Sequence, residues 1–587
     1  MRLLIANRGE VAVRIIRACR ELGVRAIAVY SDADAGALHT RLADEAHRLG
    51  PAPARQSYLD IDRIVAVARE SGADAVHPGY GLLSENADFA LAVLEAGLRF
   101  VGPEPGTIAQ MGDKVAARDA ARRSGVPLLP ASSGVIKDAS SAMEIAEHVG
   151  YPLVVKACFG GGGRGLRIVR APDELAAALQ AAGREANAAF GRSEVYLERY
   201  IASARHVEVQ VLADSHGHVL HLGDRDCSVQ RRHQKLIEEA PAPALSASLR
   251  SAIVTAAVRL AKDVGYRSAG TVEFLVDVAA ERFYFLEMNT RLQVEHGVTE
   301  LVTGVDIVAE QIRIARGEPL RFSQQDVQIH GHAIQARIAA EDPWEEFQPR
   351  PGRIDALSLP QGPWLRLDFG VEAGDTVVSH YDSMFGKVQS WGPDRETARI
   401  RLRAALGALT VSGVMTTAPY LREVLGQSEF IAVTHDTGSA ERSWRPEEAT
   451  RPPLETARQA SNSAAPVATG TERRVRLSTT QGPIEVAVFG PRREQRVLRA
   501  ASGNPRSTDQ NKPASEPVAP LAGAVVAVCV EAGEAVAKGA VLVILEAMKM
   551  ELPVVAPRAG TVEAVLVAVG DVTSRGSLLV RLATGES

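Results

Sequence analysis

The chain opens with a short apolar run at residues 3–6, then apolar positions spaced three and four apart through GEVAVRIIRACREL, then a second run, RAIAVYS. This reads as strand, helix, strand. The alternation continues through DAVHPGYGLLSEN, a helical stretch to Leu94, and RFVG. A parallel sheet is therefore predicted to about residue 103. A second α/β region is predicted to about 200, and a third, richer in strands, to about 440. From Asp436 to about Gly470 the apolar periodicity fades, and a strand-like piece, RRVRLSTTQGPIEVAVFG, follows. Residues 501–520 hold four prolines among small polar residues, which is the composition of a linker.

The last unit repeats itself. At an offset of 37 residues, AGAVVAVCVEAGEAVAKGAVLVIL overlays AGTVEAVLVAVGDVTSRGSLLVRL without a gap, and Gly523, Gly533 and Gly539 fall on Gly560, Gly570 and Gly576. Neither copy alone buries an apolar face, so the two are predicted to pack as one small two-sheet domain. EAMKME lies between them, which puts Lys549 near the tip of an exposed hairpin.

At 587 residues the chain is long enough for roughly four compact units. Its net charge of −5 offers no chain-wide positive field, so neither nucleic acid nor a membrane is expected as a partner. The four cysteines are far apart with no CxxC pair, which excludes a disulfide framework and a zinc ribbon and suggests a reducing compartment. No run approaches the ~18 apolar residues of a membrane span. The first strand begins almost at the initiator Met, leaving no room for a leader, so a cytoplasmic location is expected.

Lysine is scarce, nine against 57 arginines, so a lysine marks a place where a compact ammonium or an amine is needed. In PLVVKACFGGGGRGLRIV, Gly160, Gly162 and Gly165 satisfy GxGxxG, but the following LRIV reads as strand and not the helix of a dinucleotide site. The segment fits either a surface hairpin or a loop whose bare N–H groups close over phosphates beside Lys156. TVEFLVD and RFYFLEMNTRLQVEH form a hairpin if facing residue numbers sum to 560, which sets Glu273 opposite Glu287. A divalent cation relieves that repulsion, with Asn289 as a further oxygen donor. Carried on, the alternation aligns Glu287, Asn289, Arg291, Gln293 and Glu295 on one face, read either as a solvated sheet face or as ligands, an anion-binding Arg and a base in one row. His206, Glu208 and Gln210 alternate with valines, and the run Gln230 to Lys235 between acidic flanks fits a phosphate-facing loop.

These strings, with IANRGEVAVRIIRA, GDKVAA, RIAAEDP and YDSMFGK, resemble the biotin carboxylase family of the ATP-grasp superfamily over residues 1 to about 445. Residues 515–584 resemble a biotin carboxyl carrier domain, its motif reading Glu546-Ala547-Met548-Lys549-Met550. The fusion resembles the α subunit of an acyl-CoA carboxylase. The implied fold class is α/β: a Rossmann-like N-terminal domain (1–110), an ATP-grasp domain (111–330, with a glycine-rich lid at about 130–200) and a C-terminal carboxylase domain (331–445). A linker with a short β segment, a candidate for docking a partner (446–515), and an all-β biotinyl/lipoyl-type sandwich (516–587) follow.

The resemblance further implies that Lys114, Lys156, His206, Gln230, His233 and Lys235 contact ATP. Gly160, Gly161, Gly162, Gly163 and Gly165 close over its phosphates, and Glu198 lies near the adenine. Glu273, Glu287 and Asn289 hold Mg²⁺ or Mn²⁺. Arg291, Gln293 and Val294 position bicarbonate, Glu295 is the base, and Arg337 stabilises the biotin enolate. Lys235, Arg291, Glu295 and Arg337 form the implied catalytic set, and Lys549 carries biotin after modification by a biotin protein ligase. The implied partner is a carboxyltransferase β subunit in a hetero-oligomer. The chain departs from the family pattern at Cys158-Phe159 before the glycines, at Arg199, and at Gly297 where VEHP is usual. Another ATP-grasp ligase, a non-catalytic carrier and a lipoyl carrier are the competing readings. The terminal repeat, the intact row to Glu295, and Met548 and Met550 beside the lysine argue against them in turn.

Overall fold

A computed structural model describes residues 1–132, 134–136, 139–158, 167–190, 193–201, 203–451, 471–479, 482–490, 516–521, 523–547, 550–573 and 576–583. The N-terminal sheet is parallel, in the order Glu45–Gly50, Arg25–Ser31, Arg2–Ile5, Ala75–His77, Arg99–Phe100. Its first strand starts one residue earlier than the apolar run suggests. Leu3, Leu4 and Ile5 are fully buried because both faces of a parallel sheet are covered. The helix Gly9–Glu21 supplies part of that cover through Val11, Ala12, Ile15, Ile16 and Cys19. Its first turn also buries a carboxylate, Glu10.

The largest sheet is antiparallel and eight-stranded, in the order Arg282–Asn289, Ser268–Asp277, Arg205–Ala213, Val219–Arg231, Gln234–Ala240, His332–Ala339, Met384–Gly392, Leu365–Phe369. It runs without a break across the border expected near residue 330. Val207, Val209, Val211, Phe274 and Val276 pack with the helix Ala247–Asp263. The intervening residues His206, Glu208, Gln210 and Glu273 turn to the other face and are buried as well. That polar inner face is the floor of the site described below.

A smaller antiparallel sheet, Arg167–Val169, Leu153–Ala157, Val195–Arg199, packs with the helices Ala139–Val149 and Leu175–Phe190. The segment after the glycines is a strand, as LRIV suggests. Thr471–Thr479 and Gly482–Gly490 form an antiparallel hairpin.

The carrier unit has two sheets, and each draws on both copies of the repeat. Val572–Thr573 joins Met550–Val555, Val541–Ala547 and Gly523–Val528, while Ala535–Val536 joins Gly560–Val565 and Val580–Leu582. The repeated glycines have a backbone cause. Gly533 and Gly570, with φ of 92° and 98°, and Gly539 and Gly576, with 88° and 85°, occupy a region that side chains disfavour. Leu542, Leu545, Val562, Leu579 and Val580 close the shared core. Among the described residues no helix is long and apolar enough to cross a membrane.

Candidate active site

Two strands and a tight turn bring the ammonium of Lys235 to the floor of the large sheet. The run Gln230 to Lys235, expected as a loop, is a hairpin in which Arg231 faces Gln234 and Gln230 faces Lys235. Its two turn residues, Arg232 and His233, both have positive φ, 48° and 62°, as a two-residue hairpin connection demands. Lys235 Nζ donates to Glu208 at 2.6 Å, Glu273 at 2.9 Å and Glu295 at 2.7 Å. Burial opposes its charge, but Cys227, Glu208, Glu273 and Glu295 outweigh it and raise the pKa well above the usual lysine value.

Glu273 faces Glu287 across the hairpin, as the sum of 560 requires, and Thr271 faces Asn289 by the same rule. Beyond them a bulge shifts the register, so that Phe274 faces Phe285. The two carboxylates titrate in opposite directions. Burial works against ionisation of Glu273, but Lys235 and His206, whose Nε2 lies 2.8 Å away, hold its pKa low. Burial and then the charge of Glu273 push Glu287 up, with Lys114 opposing. Asn289 Nδ2 donates to Glu273 at 2.7 Å, and its Oδ1 accepts from Arg291 at 2.9 Å. Two facing carboxylates, Glu273 buried and Glu287 half-buried, fit a hard divalent cation, which removes their repulsion.

The polar row does not continue as a strand. The strand ends at Asn289, and Glu295 stands just before the helix His296–Thr303. The row still converges: Arg291 donates to Glu85 at 2.9 Å and to Gln293 at 3.1 Å, and Gln293 Nε2 lies 3.5 Å from Glu273. Met288, Leu292 and Val294 are buried on the other side. Glu295 makes no capping bond to its helix. Its carboxylate accepts from Lys235 on one oxygen and from Arg337 at 2.8 Å on the other. Burial resists that charge, but Lys235, Arg337 and Arg225 overcome it and hold the pKa well below the carboxylate range. Arg337 is itself bridged to Glu238.

Lys156 and Arg118 both bond Glu198, on the small sheet. His233, its pKa lowered by burial, feels the charges of Glu441, Lys156 and His206. Lys114 is held below its usual pKa by burial, and Glu287 and Glu198 act against that. Gly160, Gly161, Gly162, Gly163 and Gly165 lie outside the described residues. So do Met548 and Lys549, although Ala547 and Met550 on either side of them pair.

Several groups escape a reading of the sequence. Arg225, fully buried, bonds Glu208, Gln210, Thr271 and Thr299 and fixes the acid under Lys235. Glu85 anchors Arg291 from the N-terminal domain. Lys387 Nζ donates to Val294 O at 2.7 Å. The scarcity of lysine is a signal that could have found Lys387; nothing in the local pattern marks Glu85 or Arg225.

Four family models match the chain: "Biotin carboxylase, N-terminal domain" at residues 1–108, "Carbamoyl-phosphate synthase L chain, ATP binding domain" at 113–323, "Biotin carboxylase C-terminal domain" at 335–442 and "Biotin-requiring enzyme" at 517–582. Biotin carboxylase 1 of Bacillus subtilis is 48% identical over 74% of this chain and 97% of its own length. The mitochondrial methylcrotonoyl-CoA carboxylase subunit alpha of Oryza sativa is 50% identical over 75% of this chain and 60% of its own. The biotin carboxylase domain of Hydrogenobacter thermophilus 2-oxoglutarate carboxylase, solved with MgADP, ADP and bicarbonate, superposes with a TM-score of 0.73. It is 46% identical, with 75% of this chain and 97% of that one covered.

Proposed function

Because this chain belongs to the biotin carboxylase family and carries a biotin-requiring domain on the same polypeptide, we propose that it is the biotin-bearing α subunit of an acyl-CoA carboxylase. The reaction is the ATP-dependent carboxylation of protein-bound biotin by bicarbonate through carboxyphosphate, with ADP and phosphate as products. A carboxyltransferase β subunit then passes the carboxyl group to the acyl-CoA. The observation that carries this reading is that Lys235 joins Glu273, which faces Glu287, to Glu295, which Arg337 also bonds, in a chain that also holds the carrier repeat.

Bicarbonate is a poor electrophile and needs activation. Arg291, Gln293 and Val294 would hold the anion, and Glu295, kept ionised by Lys235 and Arg337, would accept its proton so that an oxygen attacks the γ-phosphorus. A carboxylate so stabilised is a weak base. An anion on Arg291 and Arg337 offsets the field that depresses it and raises its proton affinity. Lys114, Lys156, His206, Gln230, His233, Lys235 and Gly160, Gly161, Gly162, Gly163 and Gly165 would position ATP, with Glu198 at the adenine end. Phosphoryl transfer asks chiefly for such positioning and neutralisation. Glu273, Glu287 and Asn289 would hold Mg²⁺ or Mn²⁺, which neutralises phosphate charge when bound. Arg337 would face the negative charge that grows on the ureido oxygen, a task for a fixed guanidinium. Biotin, amide-linked to Lys549 by a biotin protein ligase, supplies the nucleophilic nitrogen.

By composition residues 501–515 read as a linker, whereas Pro517, Val518 and Ala519, at the end of the expected stretch, pair with Leu579, Leu578 and Ser577 of the carrier. Fully extended, a chain of that length would reach about 50 Å. Travel between the active sites of two subunits in a cytoplasmic hetero-oligomer is then a matter of domain movement. A 2-oxo acid is the rival acceptor, since the Hydrogenobacter neighbour is a 2-oxoglutarate carboxylase. The test is to purify the chain with its partner subunit and supply labelled bicarbonate with a panel of CoA esters and 2-oxo acids. Label is expected in a CoA ester only, together with a biotin-sized mass increment on Lys549. Label in a 2-oxo acid alone, or an unmodified Lys549, would overturn the reading.

A further inference from the structure

Residues 290–295 belong to neither the strand before them nor the helix after them, so no ladder fixes their carbonyls. Two bonds are local, His296 N to Gln293 O at 3.4 Å and Val298 N to Glu295 O at 3.3 Å, and further contacts add to them. Thr290 N donates to Glu85 at 3.3 Å, His296 Nδ1 lies 2.7 Å from Gln293 O, and Val294 O accepts from Lys387 Nζ at 2.7 Å. Lys387 is fully buried on the strand Met384–Gly392, and its second partner is Glu10, whose Oε1 lies 3.2 Å from Nζ. Tyr80 donates its hydroxyl to that same oxygen. Three distant parts of the chain thus meet behind one peptide group. A buried ion pair is weak evidence for stability, since apolar residues of equal volume often serve better. Here the ammonium does what an apolar side chain cannot, because it donates to a main-chain carbonyl beside Glu295.

We infer that Lys387 is a positioning residue for the turn at 293–295. Glu10 balances its charge and Tyr80 steadies Glu10, so that the peptide between Val294 and Glu295 keeps one orientation. Glu295 then leaves the turn toward Lys235 and Arg337, and Gln293 toward Glu273. The role rests on the reading above, in which this turn holds bicarbonate and its base. It predicts a defect in bicarbonate handling, separate from ATP binding.

The test uses the full-length biotinylated chain with Lys387→Met and, to keep the buried charge balanced, Glu10→Gln/Lys387→Met. Steady-state ADP formation is measured against bicarbonate and against ATP, beside wild type. The expected result in both variants is a bicarbonate KM raised tenfold or more with the ATP KM within twofold of wild type. An unchanged bicarbonate KM, a parallel rise in both KM values, or failure of the charge-balanced variant to fold would overturn the inference. If instead wild type itself shows no bicarbonate-dependent ADP formation, it is the functional reading that fails.

Discussion

Lys235 bonds three carboxylates from three different segments, Glu208, Glu273 and Glu295. Replacing it with Met leaves those acids buried without their shared cation, and breaking a buried ion pair from one side costs about 3–5 kcal/mol. Lys235→Met is therefore expected to lower the unfolding free energy, read from urea titration, by an amount of that order and to abolish ADP formation. Lys235→Arg restores the charge, but the larger planar guanidinium aims its N–H groups away from the single point where Nζ meets Glu208, Glu273 and Glu295, so activity stays low while part of the stability returns. Glu287 behaves differently. Its carboxyl is held up by burial and by Glu273, so Glu287→Gln is expected to cost little stability. It should raise the Mg²⁺ concentration needed for half-maximal turnover severalfold, as a magnesium titration of activity will read.

Among the elements, the metal hairpin shows what a sequence can and cannot reveal. Alternation sets Glu273 opposite Glu287 correctly because period two is a property of any strand. The bulge between this pair and Phe285 is invisible to that count, as is the end of the strand at Asn289, since no Gly or Pro marks either. The turn at Arg232-His233 hides for the same reason: its left-handed residues are not the Asn-Gly pair that announces such a turn. Gly297 was visible as an oddity, and packing explains it. A Cβ there would overlap Gln389 Oε1, and Gln389 is fully buried with its Nε2 bonded to Asp368. Gly297→Ala is expected to cost about 1–3 kcal/mol of overpacking. Gln389→Ala in the same chain should relieve most of that clash, which a double-mutant cycle of denaturation midpoints will check. Glu341, before the turn at Pro343, gives a pH signature. Burial pushes its carboxyl up to about 7, with Ser383 opposing and Asp382 adding to the rise. The folded state then binds the proton more tightly than the unfolded chain, so stability falls as pH rises from about 4.5 to about 7. Glu341→Gln should raise Tm relative to wild type at pH 8 and not at pH 4.5.

For the whole molecule, order along the chain was legible and contacts between distant parts were not. Motif strings and the 37-residue repeat foretell an α/β catalytic region and a β carrier. They give no hint that one sheet joins residues 205–289 to residues 332–392, or that each carrier sheet takes a strand from the opposite copy. Glu10 and Tyr80 belong to the same blind spot, because nothing near either in the sequence says that they meet Lys387, which only the scarcity of lysine marks. The exchanged strands predict that residues 516–557 expressed alone show no cooperative thermal transition, whereas 516–587 do. Activation of bicarbonate by the Lys235 cluster, with Glu295 as base, is the proposal on which the other roles depend. It is tested most directly by ADP formation from MgATP, with and without bicarbonate, in fully biotinylated wild type and Glu295→Gln. Bicarbonate-stimulated turnover is expected in wild type, with a loss of about 10²–10⁴ in kcat for the variant. Equal turnover with and without bicarbonate in wild type, or an unimpaired Glu295→Gln, would contradict it.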